Sequence, residues 1–160
     1  MESLNYPLSD LEIKHFFNGD VNIIKYRDLK DEFPERPCII LFESRPTNHW
    51  VLVMDLDDGS LLYHDSYGCY PSDEFNWIPK SIQKLTKQNQ KKMYEILLKY
   101  PKVRYNQYCI QDKGTSTCGK HCCIRALFPS IDENDYFDLI SGYDVSPDEI
   151  VNLIFNKLYS

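Results

Sequence analysis

Apolar residues along this chain follow two spacings, and each spacing predicts a type of element. In LSDLEIKHFFNG, Ser9 stands three residues before Glu12, a capping box, with Leu8 and Ile13 placed to staple across it and Gly19 placed to end the turn. A first helix is therefore expected. CIILFE, residues 38–43, is a short apolar run between ERP and SRPTN and reads as a buried strand. HWVLVMDL at 49–56 is rich in β-branched and aromatic residues, DDG at 57–59 turns the chain, and LLYHD at 61–65 returns antiparallel. From 81 to 100, Ile82, Leu85, Met93, Ile96, Leu97 and Tyr100 form a helical stripe with lysines opposite, stopped by Pro101. VRYNQYCIQ at 103–111 reads as a further strand and CGKHCCIRALF at 118–128 as a helix closed by Pro129. Near the end, Ser146, Pro147 and Glu149 open a last helix whose predicted apolar face is Ile150, Leu153, Ile154 and Leu158.

The sum is an α+β chain: a central antiparallel-rich sheet flanked by helices. The 160 residues contain no repeat, linker or low-complexity tract, so residues 1–160 are expected to form a single domain large enough to bury a core. Apolar residues make up 42% and charged residues 26%, which excludes a disordered chain. No apolar run approaches the roughly 20 residues that span a bilayer. MESLNYPLSDLE has neither the basic nor the apolar region of a secretory signal, so the expectation is a protein that is not secreted and keeps its six cysteines reduced.

Net charge is −6 but uneven. Residues 80–104 carry eight basic side chains (Lys80, Lys84, Lys87, Lys91, Lys92, Lys99, Lys102, Arg104) against Glu95, a local +7 that leaves −13 elsewhere. That pattern suits a solvated helix face, or a patch for nucleic acid or an acidic partner.

Three cysteines crowd into TSTCGKHCCIRALF. Zinc would need a second ligand pair to complete four-coordination, and none stands at suitable spacing, so no metal is expected. Cys122 and Cys123 are adjacent on one helix, point different ways and read as core packing. Cys118 differs because it opens the helix, where unpaired N–H groups and the macrodipole stabilise a thiolate, and Gly119 leaves room for a substrate backbone. A nucleophile also needs a base, an orienter and an oxyanion donor. His49 begins one hairpin strand and Asp65 ends its partner. The carboxylate can thus hold Nδ1–H and leave Nε2 facing the sulfur. Gln111, seven residues before Cys118, can add its amide N–H to the Cys118 backbone N–H as an oxyanion donor. His64 should face away from Asp65 by strand alternation, and His121 shares the helix of Cys118; both read as structural.

The order His-Trp, Asp, Gln, Cys-Gly, carried by HWVLVMDLDDGSLLYHDSYG and QDKGTSTCGKHCC, resembles the adenovirus-type cysteine proteases and the wider group that includes the SUMO-specific proteases. The resemblance implies a permuted papain-like fold, with His49 as general base, Asp65 as orienter, Gln111 in the oxyanion hole, Cys118 as nucleophile, and Trp50 and Gly119 beside the substrate. It further implies a gene of a DNA virus or virophage. The activity implied is a cysteine endopeptidase that cleaves capsid and core precursor proteins during virion maturation. Such an enzyme would be monomeric, not attached to a membrane, and found in the virion and in host cytoplasm or nucleus. An isopeptidase removing ubiquitin-like modifiers is the alternative with the same residues, and a binding protein that kept the fold without activity is a third. The adenovirus branch is activated by DNA and by a disulfide-linked peptide. Cys109, two residues before Gln111, stands too near it to match the linking cysteine, so no cofactor is required on this reading, and residues 80–104 are the place where DNA would bind.

Overall fold

The structure is a computed structural model that describes residues 4–44 and 47–159. Five strands form one sheet in the order β1-β2-β3-β4-β5. The central hairpin is the predicted one: β2 (Cys38–Phe42) pairs antiparallel with β3 (His49–Asp55), and β3 with β4 (Leu61–His64). Both outer strands differ from expectation. β1 (Asn22–Lys25), which no sequence pattern marked, lies parallel to β2, and β5 (Val103–Tyr105) lies parallel to β4. The sheet is therefore mixed, antiparallel only at its centre.

The pleat sends alternate side chains into two cores. Ile39, Trp50, Leu52, Met54 and Leu62 face α1 (Asp10–Phe16), α4 (Cys118–Arg125), α5 (Glu133–Ser141) and α6 (Pro147–Leu158). Cys38, Ile40, Phe42, Val51, Val53 and Tyr63 face the other way, onto Tyr26, Phe75 and the Met93 and Ile96 stripe of α3 (Gln90–Leu97). Strand β3 is buried along both faces, so it reads as an unbroken apolar run.

Three expectations are corrected by local chemistry. The helix expected across 81–100 is two, α2 (Lys80–Leu85) and α3, because Lys87 takes a φ of 55° and the Gln88 amide turns inward. Gln88 there accepts from the Glu43 N–H at 2.9 Å and donates to the Glu43 carbonyl at 2.7 Å, a side-chain rung at the end of β2, and Asn89 caps α3. Leu85, placed on the apolar stripe, is exposed. The strand expected to run to Gln111 stops at Tyr105, since the Asn106 side chain bonds its neighbours instead: it donates to the Asp65 and Tyr108 carbonyls and accepts from the Tyr108 N–H. In α6 the buried face is Ile150, Val151 and Phe155, while Leu153 and Leu158 lie outside. Helix α5, capped by Asp132, was not read from the sequence.

The capping box of α1 is present as predicted, and Ser146 caps α6 through the Glu149 N–H. Among the described residues no helix is long and apolar enough to cross a membrane.

Candidate active site

Cys118 is the first residue of α4, and its buried sulfur lies where the start of that helix meets the end of the sheet. The backbone N–H of Trp50 points at Sγ from 3.5 Å. His49 opens β3, and its ring is near enough to the Cys118 sulfur for the sulfur to raise the imidazole pKa. The β3–β4 register sets Val53 opposite Tyr63 and Leu52 opposite His64. Continuing it one step places Asp65 opposite Val51, on the face that His49 shares, one diagonal away. His49 Nε2 meets Asp65 Oδ1 at 2.9 Å. Nε2, expected to face the sulfur, is instead held by the carboxylate, which leaves Nδ1 as the remaining ring nitrogen. Tyr67 stacks on the imidazole with centroids 4.8 Å apart, closing the ring's other flank.

Charge is arranged to keep the imidazole cationic. Burial opposes its charge most strongly, but the Asp65 carboxylate, its hydrogen bond and the Cys118 sulfur together hold the pKa well above the ordinary value. Burial likewise works against the Asp65 anion, yet His49, Glu74 and the Tyr67 N–H, 2.9 Å from Oδ1, hold its pKa well below the usual range.

Gln111 is brought to the same place by the loop after β5. The N–H groups of Ile110 and Gln111 both donate to the Ser66 carbonyl, the Ser66 hydroxyl donates to Gln111 Oε1, and one Nε2 N–H is spent on the Thr115 carbonyl at 3.1 Å. Gly68 makes this docking feasible. Its φ is +74°, and a Cβ there would sit 2.7 Å from the Tyr108 carbonyl carbon. His49, Trp50, Tyr67, Gln111 and Cys118 all line one groove of about 1000 Å³, walled on another side by Leu8, Ile23 and Leu41. Trp50 is fixed there by its indole N–H, which donates to the Leu8 carbonyl at 3.2 Å. Gly119 does not open onto the groove as expected. The space a Cβ would take is already bounded by Leu8 Cβ at 3.2 Å and Trp50 Cδ1 at 3.3 Å, so the glycine admits the chain segment before α1.

Several residues of the site carried no signal in the sequence. Tyr67 and Ser66 directly follow Asp65 in DSYG, and only adjacency could have suggested them. Asp148, second residue of α6, is a buried acceptor for the Asp112 N–H at 2.8 Å, the Thr117 hydroxyl at 2.6 Å and His121 Nε2 at 2.7 Å. It ties the Gln111 loop and the approach to Cys118 to one helix end. His121 is therefore structural, as read. So is His64, whose Nδ1 meets Glu133 at 2.7 Å on the opposite sheet face, where Glu133 also pairs with Arg125.

Among the described residues one group has metal-ligand character: His49, Asp65 and Glu74, with donor atoms within 4.8 Å of one another. Three-ligand metal sites leave a coordination position open to water, and Asp65 and Glu74 both have 0% exposure, so the group does not fit that use. The basic segment is partly committed inward. Lys92 donates to the Arg27 and Leu29 carbonyls, Lys99 to that of Asp31, and Arg104 pairs with Asp58, while Lys80, Lys84, Lys87 and Lys91 remain exposed.

No protein-family model matches the chain. It is 33% identical over 142 residues to "Uncharacterized protein V9" of Sputnik virophage, an alignment covering 83% of this chain and 81% of that protein. The chain belongs to the family of that virophage protein.

Proposed function

We propose that this virophage-family protein is a cysteine endopeptidase of the adenovirus-protease type, encoded by a virus and acting on capsid and core precursors as particles mature. One observation carries the reading: a sulfur at a helix start, an imidazole beside it, a carboxylate holding that ring from behind, and a fixed glutamine on the same groove. In the reaction, Nδ1 of His49 holds the proton given up by the Cys118 thiol, and the sulfur adds to the scissile carbonyl. The oxyanion is met by the Cys118 backbone N–H and the Gln111 amide. Collapse breaks the C–N bond, His49 returns the proton to the leaving amine, and a thioester remains. Water then adds, its proton passing to His49, and the carboxylic acid departs as the thiol reforms. The groove of about 1000 Å³, with Trp50 lining it beside the sulfur, suits a peptide substrate, and the resemblance to the adenovirus-type enzymes leads us to expect small residues at the cleaved bond.

The test is incubation of the purified protein with structural precursor proteins of the virus that encodes it, beside a panel of ubiquitin-like modifier conjugates. Fragmentation of a precursor by the wild type, lost by a factor of about 10⁴ or more in Cys118→Ala at unchanged melting temperature, is expected. Undiminished cleavage by Cys118→Ala would end the proposal, and brisk release of modifiers with intact precursors would replace it with the isopeptidase reading.

A further inference from the structure

Behind the imidazole lies a second buried carboxyl group that the reaction above does not use. Glu74 sits in a 3₁₀ turn (Asp73–Asn76), has no exposure, and accepts from the Tyr63 hydroxyl at Oε1, 3.2 Å away. Its Oε2 and Asp65 Oδ2 are both buried and both lack a donor. The donor atoms of His49, Asp65 and Glu74 fall within 4.8 Å of one another. Two carboxyl groups this close and out of water, each with an unpaired oxygen, cannot both be ionised: each would forfeit its hydration, and the like charges would repel. One proton placed between them satisfies both atoms.

We propose that Glu74 is held as a neutral carboxylic acid whose Oε2–H donates to Asp65 Oδ2, making it a positioning residue that extends the Cys118–His49–Asp65 chain by one member. This rests on the peptidase reading for its effect on activity, though not for the proton itself. Asp65 is then fully satisfied: Oδ1 takes His49 and the Tyr67 N–H, and Oδ2 takes Glu74. Fixed on both oxygens, it has one orientation, and so does the ring it holds. The titratable groups around Glu74 agree with a neutral acid. Tyr63 from β4, Tyr26 from the turn packed below, and Cys69 all bear on it and none is a cation; the His49 charge and a backbone hydrogen bond favour ionisation but are outweighed. Burial first, then the Asp65 hydrogen bond and charge, push the Glu74 pKa well above the ordinary glutamate value.

The experiment uses full-length protein carrying carbon-13 at glutamate side-chain carboxyls. The expected result is one glutamate resonance, absent from Glu74→Gln, that stays at the protonated position from about pH 5 to pH 8, where ordinary glutamates are ionised. An ionised Glu74 across that range overturns the proposal, as does a stoichiometric divalent ion in the purified protein with Glu74 ionised around it. Activity supplies the second readout. Gln keeps an N–H donor towards Asp65 and Leu does not, so Glu74→Gln should retain at least about tenfold more kcat than Glu74→Leu, with KM common to both. The same ordering should appear in the pH profile of Cys118 alkylation by iodoacetamide. Equal loss in the two variants would reduce Glu74 to a packing role. Should Glu74→Leu fail to fold, the carbon-13 spectra of the wild type and Glu74→Gln decide the matter. A protein that shows the protonated resonance but cleaves nothing keeps the proton and loses the peptidase reading; one that cleaves with Glu74 ionised does the reverse.

Discussion

Glu74 and Asp65 are two carboxyl groups in contact whose proton affinities are driven apart, one up and one down, by what else each touches. The sign of each shift fixes a pH window. Asp65 is depressed, so its contribution to stability is present above about pH 4 and is lost as pH falls through its folded value. Glu74 is raised, so folding takes up a proton there at any pH above the unfolded value of about 4.3, and its contribution is unfavourable in a way that grows by at most about 1.4 kcal/mol per pH unit. Glutamine needs no such proton. The melting temperature of Glu74→Gln relative to wild type should therefore climb steadily from pH 4 to pH 7, measured by calorimetry in a buffer series. A difference that stays constant with pH would mean the proton is absent. None of this was visible in the sequence, where Glu74 is an acid in a turn and nothing in its spacing points at Asp65. His49, Asp65 and Cys118 were legible because a hairpin and a helix start fix their places by short-range rules, whereas Gln111 is held by a loop where the sequence had suggested a strand. Which ring nitrogen the carboxylate holds was not legible, since ring orientation depends on where the carboxylate finally rests.

Helices and strands were readable where their signals are local, and misread where a side chain from elsewhere intervened. The capping box at Ser9 and Glu12 marked α1 correctly because both partners lie within one turn. The break between α2 and α3 escaped notice because it depends on Gln88 bonding Glu43, 45 residues away. Strand β1 is four residues long, with only Ile23 and Ile24 as its apolar content, too short for periodicity to register. Helix α6 shows what such distant bonds do for a site. Its second residue, Asp148, gathers the Asp112 N–H, the Thr117 hydroxyl and His121, which come from the loop before Cys118 and from α4. Asp148→Ala strands these donors in the interior and should lower stability by about 3 kcal/mol. Because the loop between Gln111 and Cys118 loses its tether, kcat should fall further than stability explains at a temperature where the variant is still folded. Chemical denaturation and steady-state kinetics measured together check this. A variant destabilised with kcat intact would separate the anchor from the chemistry.

As a whole the molecule is a sheet with a core on each side, and the candidate site lies where both cores reach the same end of it. Cys118 and Trp50 belong to the core under α4 and α6, whereas Asp65, Glu74 and Tyr63 border the opposite one. Stability should follow these cores and not the apolar pattern alone. Leu52, fully buried in the central strand, should lose about 3–4 kcal/mol on substitution by Ala, while Leu153, which the helical spacing had placed inside and which is 57% exposed, should change by under about 0.5 kcal/mol. Urea unfolding of the two variants tests the contrast. Which half of a helix's apolar residues turns inward depends on the element it docks against, and that docking is a property of the fold.

The two-sided layout also bears on chemical intervention. A covalent inhibitor entering from the groove meets sulfur, indole and amide, but it stops at the plane of the imidazole; the carboxyl pair behind that ring contributes nothing to the groove lining. Escape from such a compound need not alter any atom the compound touches. A change at position 74 can retune the warhead's target from the far side, so drug resistance should be sought by sequencing in a turn that no co-crystal contact map would flag.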